Sequence, residues 1–392
     1  MSRFLVTALV IGIVSGCGSS GSSASPSPAT TSGATSSAAS VQPSVAPMVF
    51  PTGAFADISD DPVPEDVAAT FQATLADMAG EGGITATVMT ADGTWSGAAG
   101  KADGVHDMQP DSQFGIASVT KSIVAAQVML LVEAGEVSLD RPATDYLAAD
   151  FTFDTNGATI RQLLSHRSGI PGWYDDMEER LAVDRSRVWE LDEILALVPA
   201  ARRPVGSFEY ADTNYNLLGL VIEHVRQRPL VDVLRDGVLR VDGTERLIYQ
   251  PDEAPTDPMA MPRGESRDAL EQGGGYLPSI SVTVAGAAGA MASDSISLAR
   301  WWRAFCGGEI VSEASLTEMA TFYDNAEIDY GLGMINPADG YALGVGHLGQ
   351  IFGYNSWAGC LTEDHLIVVV LTNFDASIFE LGRPLIVAAR SE

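Results

Sequence analysis

The sequence predicts a mixed α/β (α+β) fold: one antiparallel sheet built from both chain ends, flanked by helices, plus a mainly helical lobe over about 140–285. Three observations lead there. Strand-like runs stand in pairs near the start of the globular part, at 84–100, and again near its end, at 356–373. The stretches between them carry helical rather than alternating periodicity. A hydrophobic content of 46% over 392 residues is enough for a sizeable core.

Taken in order, 62–80 (PVPEDVAATFQATLADMAG) has helical spacing with acidic residues near its start. ITATVMT and TWSGAAG flank an Asp-Gly turn and read as a hairpin. Helices are expected over Ser118–Gly135, Ile160–Ser165, Leu191–Val198, Thr213–Arg226 and Ser295–Phe305. SWAGCLTEDHLIVVVLTN supplies two closing strands, and SIFELGRPLIVAAR a last helix that Gly382 and Pro384 kink or delay. The polar, aromatic segment from Trp173 to Arg187 reads as a solvated helix edge or a cleft rim. The Gly273–Gly275 run precedes Tyr276-Leu277-Pro278 rather than a helix, so it reads as a loop.

The first 56 residues contain no Asp or Glu. Residues 1–16 carry Arg3 and then an apolar run, Phe4–Val14, too short for the roughly 20 residues a membrane span needs but suited to a signal peptide. Val14-Ser15-Gly16-Cys17 resembles a bacterial lipobox, in which the Cys17 thiol takes the lipid; the alternative is an ordinary secretory peptide cut nearby. Within the tether, 17–50, residues 18 to about 47 are Ser, Ala, Thr, Pro and Gly almost throughout, a flexible stretch reaching roughly 30 Å. The folded part, 51–392, is thus expected outside the cytoplasm, held to a membrane through Cys17. That leaves Cys306 and Cys360, either a disulfide or two buried thiols.

With 51 acidic and 22 basic residues the formal net charge is -29, and no basic stripe exists to neutralise nucleic-acid phosphates. The five His residues are scattered and no Cys or His spacing suits a metal, so neither metal nor cofactor is expected. Of the basic residues, all but Lys101 and Lys121 are Arg. Lys101 sits in a Gly-Lys-Ala-Asp-Gly turn with no assigned role. Lys121 lies three residues after Ser118, which opens an apolar helix. A Ser there faces unpaired backbone N–H groups, and a Lys one turn on can reach its hydroxyl and, unlike Arg, can lose its proton.

The context of that pair, FGIASVTKSIVAAQVMLLVEAGEVSLD, resembles the nucleophile segment of the serine β-lactamase-related family, and further elements follow in the family's order. LLSHRSGIPG matches its Leu-Leu-x-His-x-Ser-Gly-Ile element, with His166 a core histidine. FEYADTNYNLLGLVIE matches the Tyr-x-Asn element, AGAAGAMASDSISLARWWRAF the Gly-rich turn and helix, DYGLGM a following strand, and GHLGQIFGYNS the His/Lys-x-Gly element. The resemblance covers about 80–375. It implies the β-lactamase/transpeptidase-like fold and a catalytic set of Ser118, Lys121 and Tyr210. It also implies an oxyanion hole from the backbone N–H groups of Ser118 and Gln350, with His347 and Gly349 beside the substrate.

Two positions depart from the family pattern. Tyr-x-Asn reads Tyr210-Ala211-Asp212, and a carboxylate beside Lys121 favours its ammonium form, leaving Tyr210 as the better proton acceptor. Lys-Thr-Gly reads His347-Leu348-Gly349, which removes a fixed cation and a hydroxyl that would hold a substrate carboxylate. The expectation is an exported serine hydrolase cleaving an ester or amide, with a small-molecule or cell-wall-derived acyl substrate. The alternatives are a DD-carboxypeptidase or β-lactamase acting on peptidoglycan peptides or penicillins, and a non-catalytic binding lipoprotein that keeps the fold. Nucleophile elbows, zinc-protease helices and phosphate loops are absent from the sequence.

Overall fold

The computed structural model describes residues 50–391 apart from 81, 174–186, 257–258, 263–278, 324–327 and 352. The expected signal peptide, Cys17, most of the tether, the segment after Trp173 and the Gly273–Gly275 loop lie outside the described residues.

In chain order, α1 (Thr52–Ala56) and α2 (Glu65–Met78) lead into β1 (Gly83–Thr90) and β2 (Gly93–Gly100). Next come the two-residue strand β3 (Phe114–Gly115), a single 3-10 turn (Ala117–Val119) and α3 (Thr120–Glu133). Helices α4 (Ile160–Leu164), α5 (Leu191–Leu195), α6 (Asp212–Arg226) and α7 (Leu230–Asp236) precede β4 (Ile248–Tyr249). Then α8 (Ser279–Ala285), β5 (Met291–Ser293), α9 (Ser295–Cys306) and α10 (Glu313–Met319) follow. The chain closes with β6 (Gly344–Ile351), β7 (Tyr354–Leu361), β8 (Leu366–Thr372) and α11 (Arg383–Ala389).

The large sheet runs β2-β1-β8-β7-β6, every neighbour antiparallel. Strands from the two chain ends meet at its middle, where Ile84 pairs with Thr372 and Met89 with Ile367. Both faces of β8 are buried, so LIVVVLT reads as an unbroken apolar run although its neighbours are antiparallel. Leu366, Val368 and Val370 pack with Phe71, Leu75, Leu385 and Ile386, the apolar stripes of α2 and α11. Ile367, Val369 and Leu371 face the other way and join the core that holds Trp301, Trp302 and Phe305 of α9. A disulfide, Cys306 to Cys360, fastens α9 to β7 and resolves the choice that sequence leaves open.

Several boundaries differ from the sequence reading for local reasons. Helix α3 opens two residues after Ser118, because Ala117–Val119 form a 3-10 turn first. Helix α11 begins only at Arg383, with Pro384 in its first turn, where a missing N–H costs nothing. DYGLGM is not a strand: Tyr330 and Ile335 make isolated bridges, the latter to Gly346 of β6. Among the described residues no helix is long and apolar enough to cross a membrane.

Candidate active site

The nucleophile turn is built where three elements converge. Strand β3 pairs with β5, and the Ile116 N–H donates to the Met291 carbonyl. Ala117 then takes φ +49, a left-handed conformation that costs a non-glycine residue about 1–2 kcal/mol. From the β7 side, the Ser356 hydroxyl donates to the Ile116 carbonyl at 2.8 Å. Gly349 on β6 makes this junction possible. A Cβ there would meet the Ile116 oxygen and the Ser356 hydroxyl, both at 2.3 Å. The space Gly349 leaves is therefore taken by the turn that carries Ser118, which brings β6 alongside it.

Helix α3 is buried on all sides over Thr120–Met129, so Lys121 lies wholly in the core with its Nζ alone in polar company. That ammonium has three donors and finds three acceptors: Ser118 Oγ at 3.0 Å, the Ala288 carbonyl at 2.8 Å and Asp212 Oδ1 at 2.7 Å. Burial pulls the Lys121 pKa down, but the Asp212 carboxylate and Tyr210 more than offset this and the net direction is up. Tyr210 precedes α6 and lies over the ammonium, its ring centre 4.9 Å from Nζ. Burial pushes its phenol up, Lys121 draws it back, and a hydrogen bond joins it to Ser118; the net direction is again up. At rest, then, the pair holds both protons: an ammonium and a neutral phenol.

His347 stands on β6, buried, with Nδ1 2.6 Å from the Leu348 carbonyl and Nε2 3.0 Å from the Tyr330 hydroxyl. A carbonyl only accepts, so Nδ1 carries the hydrogen and Nε2 accepts from Tyr330. Burial and the nearby Lys121 charge lower His347 to about 3, so it is neutral. His166, at φ +55, accepts at Nδ1 from the Ala211 N–H and Asn214 Nδ2, at 3.2 and 3.1 Å. Burial drives it well below the usual histidine range. Its ring centre is 4.3 Å from that of Tyr210 and 4.7 Å from that of Tyr330. It therefore backs the Tyr210 ring rather than facing the cleft.

Gln350 lies near the end of β6, the edge strand of the sheet. Gly346 exchanges both backbone hydrogen bonds with Ile335 on the side away from β7. Residue direction alternates along an antiparallel strand, so Leu348 and Gln350 also turn their N–H groups outward, past the Ser118 turn. Ser118, Lys121, Tyr210, Asp212, His347, Gly349 and Gln350 thus gather at one place. Tyr330 and Tyr215 were not legible as members. Tyr215, buried and donating to the Leu164 carbonyl, stands 5.7 Å from Lys121 Nζ, ring centre to nitrogen. The one sequence signal for Tyr330 was its place in the DYGLGM element. Among the described residues no group of His, Cys, Asp or Glu is arranged to hold a metal ion.

A Ser-Lys-Tyr set with its lysine buried, at a helix start beside the edge strand of the sheet, defines a serine acyl-transfer site. The Beta-lactamase family profile matches residues 67–389, most of the chain, and the protein belongs to that family of serine hydrolases. It is 34% identical over 137 residues to the esterase EstB of Burkholderia gladioli, 31% of this chain and 35% of that one. It is also 34% identical over 154 residues to penicillin-binding protein 4 of Amycolatopsis lactamdurans, 37% of this chain and 38% of that one. The matched stretch spans a little over a third of each relative. Among solved structures, the D-amino acid amidase of Ochrobactrum anthropi SV3 in complex with L-phenylalanine amide superposes with a TM-score of 0.70 at 25% identity, covering 83% of this chain and 99% of the amidase.

Proposed function

We propose that the protein is an exported, lipid-anchored hydrolase that cleaves an ester or amide through an acyl-enzyme on Ser118. The observation that carries this is the Ser118 hydroxyl held between Lys121 Nζ, at 3.0 Å, and the Tyr210 phenol. Once the Lys121–Tyr210 pair has lost one proton to solvent, it accepts the Ser118 proton as Oγ bonds to the acyl carbon. The same proton then goes to the leaving oxygen or nitrogen as that bond breaks. The Ser118 and Gln350 N–H groups receive the oxyanion in between. Water, deprotonated by the same pair, attacks the ester carbon; as the bond to Ser118 Oγ breaks, Oγ takes that proton back and the acid is released.

Neutral His347, with its Nε2 already occupied by Tyr330, offers no charge to a substrate carboxylate. This favours esters and amides lacking a terminal carboxylate over penicillins and free stem peptides. Export and anchoring are supported by the apolar leader, the lipobox ending at Cys17 and the disulfide, which suits an oxidising compartment.

The full-length protein, with Ser118→Ala as control, is to be exposed to a fluorophosphonate probe, short-chain aryl esters and fluorescent penicillin. Labelling by the fluorophosphonate and ester turnover, both lost in Ser118→Ala, are expected, with no stable penicillin adduct. A persistent penicillin adduct would turn the reading to a DD-peptidase, and rapid penicillin hydrolysis to a β-lactamase. Failure of every acylating probe leaves a binding protein.

A further inference from the structure

Helix α4 stops in a conformation that glycine usually fills. The His166 N–H reaches back to the Leu163 carbonyl at 3.2 Å and the Arg167 N–H to the Gln162 carbonyl at 2.7 Å, a stop that places His166 in the left-handed region. At φ +55 a side chain is strained where glycine is not. Such strain persists where other contacts hold the residue in place. Here they come from the chain around Tyr210. The His166 carbonyl accepts from the Glu209 N–H at 2.8 Å and its Nδ1 from the Ala211 N–H at 3.2 Å, so one residue grips the backbone on both sides of Tyr210. Between these anchors the imidazole lies against the phenol ring, 4.3 Å centre to centre and 33° from parallel. Tyr210 precedes α6, which begins at Asp212, so helix geometry does not aim it. We propose that His166 is a positioning residue for acyl transfer: accepting at Nδ1, it holds the Tyr210 backbone and ring so that the phenol meets Ser118 Oγ.

The histidine takes no proton itself; it acts through Tyr210, and its role rests on Tyr210 sharing the Ser118 proton. A backbone N–H only donates, so Nδ1 must keep its lone pair. The surroundings enforce that choice. Asn214 Nδ2 donates to the same nitrogen at 3.1 Å. The Ser168 hydroxyl accepts from the Ile170 N–H at 3.0 Å and donates to Asn214 Oδ1 at 2.6 Å, which fixes the end of the amide that faces the ring. Ser168, Asn214 and His166 thus form one line of hydrogen bonds that ends on the backbone beside the phenol.

The test uses the full-length protein and reads the rate at which a fluorophosphonate labels Ser118, alongside kcat and KM for a short-chain aryl ester. Asparagine and glycine both tolerate the left-handed region, so His166→Asn and His166→Gly share a backbone and differ in whether an acceptor stands near the place of Nδ1. His166→Gly is expected to lower kcat about 100-fold with KM changed less than about threefold, as when a catalytic group is displaced by about an ångström. His166→Asn should recover about tenfold of that loss. In Tyr210→Phe, which keeps the ring and loses the hydroxyl, removing His166 as well should slow labelling less than about threefold, whereas a general packing defect costs the same in both backgrounds. Ser168→Ala leaves His166 in place and frees the Asn214 amide to turn; it should lower kcat about threefold, and have no effect on labelling in Tyr210→Phe. Equal losses with and without the Tyr210 hydroxyl, or His166→Asn no faster than His166→Gly, overturn the proposal while leaving the nucleophile in place. Where the His166 variants do not fold, a Ser168→Ala kcat equal to that of the unaltered protein does the same. A Tyr210→Phe protein as fast as the unaltered one removes the role together with the proton transfer it serves. No labelling of Ser118 at all removes the nucleophile as well.

Discussion

At the scale of single residues, the site is governed by where protons rest. Lys121 is surrounded by acceptors and Tyr210 is held as a neutral phenol, so the resting pair carries one proton more than general-base catalysis can use. Asp212 is the residue that keeps it there. Without its charge, the burial of Lys121 is opposed less, and the ammonium loses its proton at lower pH. Asp212→Asn should therefore move the acid limb of the kcat/KM profile toward lower pH by about one unit or more, measured on an ester without an amine. An unmoved limb would show that Lys121 does not titrate in the reaction. The Ser118, Lys121 and Tyr210 set was legible because its motifs are short and local. Tyr330 was not: it meets His347 across 17 positions through a hydrogen bond, on a stretch that forms bridges rather than a strand. No periodicity marks such a partner.

Elements position those residues by close approach of backbone to backbone. The Gly349 junction decides how near β6 comes to the nucleophile turn, and Gly333 repeats the device on the other side of α3. A Cβ at Gly333 would meet the Ala125 Cβ at 2.4 Å, and its carbonyl accepts from Ser122 Oγ at 2.7 Å. In Gly349→Ala the new methyl displaces either Ile116 or β6, because backbone rather than a flexible side-chain tip stands in its way. The variant should fold, with its stability lowered by about 1–3 kcal/mol. Ester turnover should fall by roughly 100-fold, since the Gln350 N–H and Ser118 no longer share one oxyanion position. Circular dichroism with active-site titration checks this; native-like turnover would mean the strand edge does not set the oxyanion hole. The strands themselves were readable, β1 and β2 from their Asp-Gly turn and β8 from its apolar run. The start of α3 was misread by two residues because Ala117 adopts its left-handed turn through contacts with Met291 and β7, which lie far along the chain.

For the whole molecule, a formal charge of -29 suggests a protein that gains stability on acidification, as repulsion among its carboxylates is relieved. Two buried histidines oppose that trend at higher pH. His347 is lowered to about 3 in the folded protein and His166 lies well below the usual value of 6.5, while in the unfolded chain both titrate near 6.5. Between those limits the unfolded state binds more protons, so stability is full above about 6.5 and declines as pH falls. Well below 6.5 each histidine contributes a slope of about 1.4 kcal/mol per pH unit. Most carboxylates ionise near 4, so from pH 6 to 5 the histidines act almost alone and charge relief arrives only further down. Urea unfolding at pH 7, 6 and 5 should therefore show stability dropping in that interval, and His347→Gln, which keeps a donor and an acceptor but cannot be protonated, should roughly halve the drop. A flat profile would mean that His166 and His347 are charged in the native state. The ammonium of Lys121 would then have two cationic neighbours, and the neutral His347 that argues against a carboxylate-bearing substrate would be lost with it.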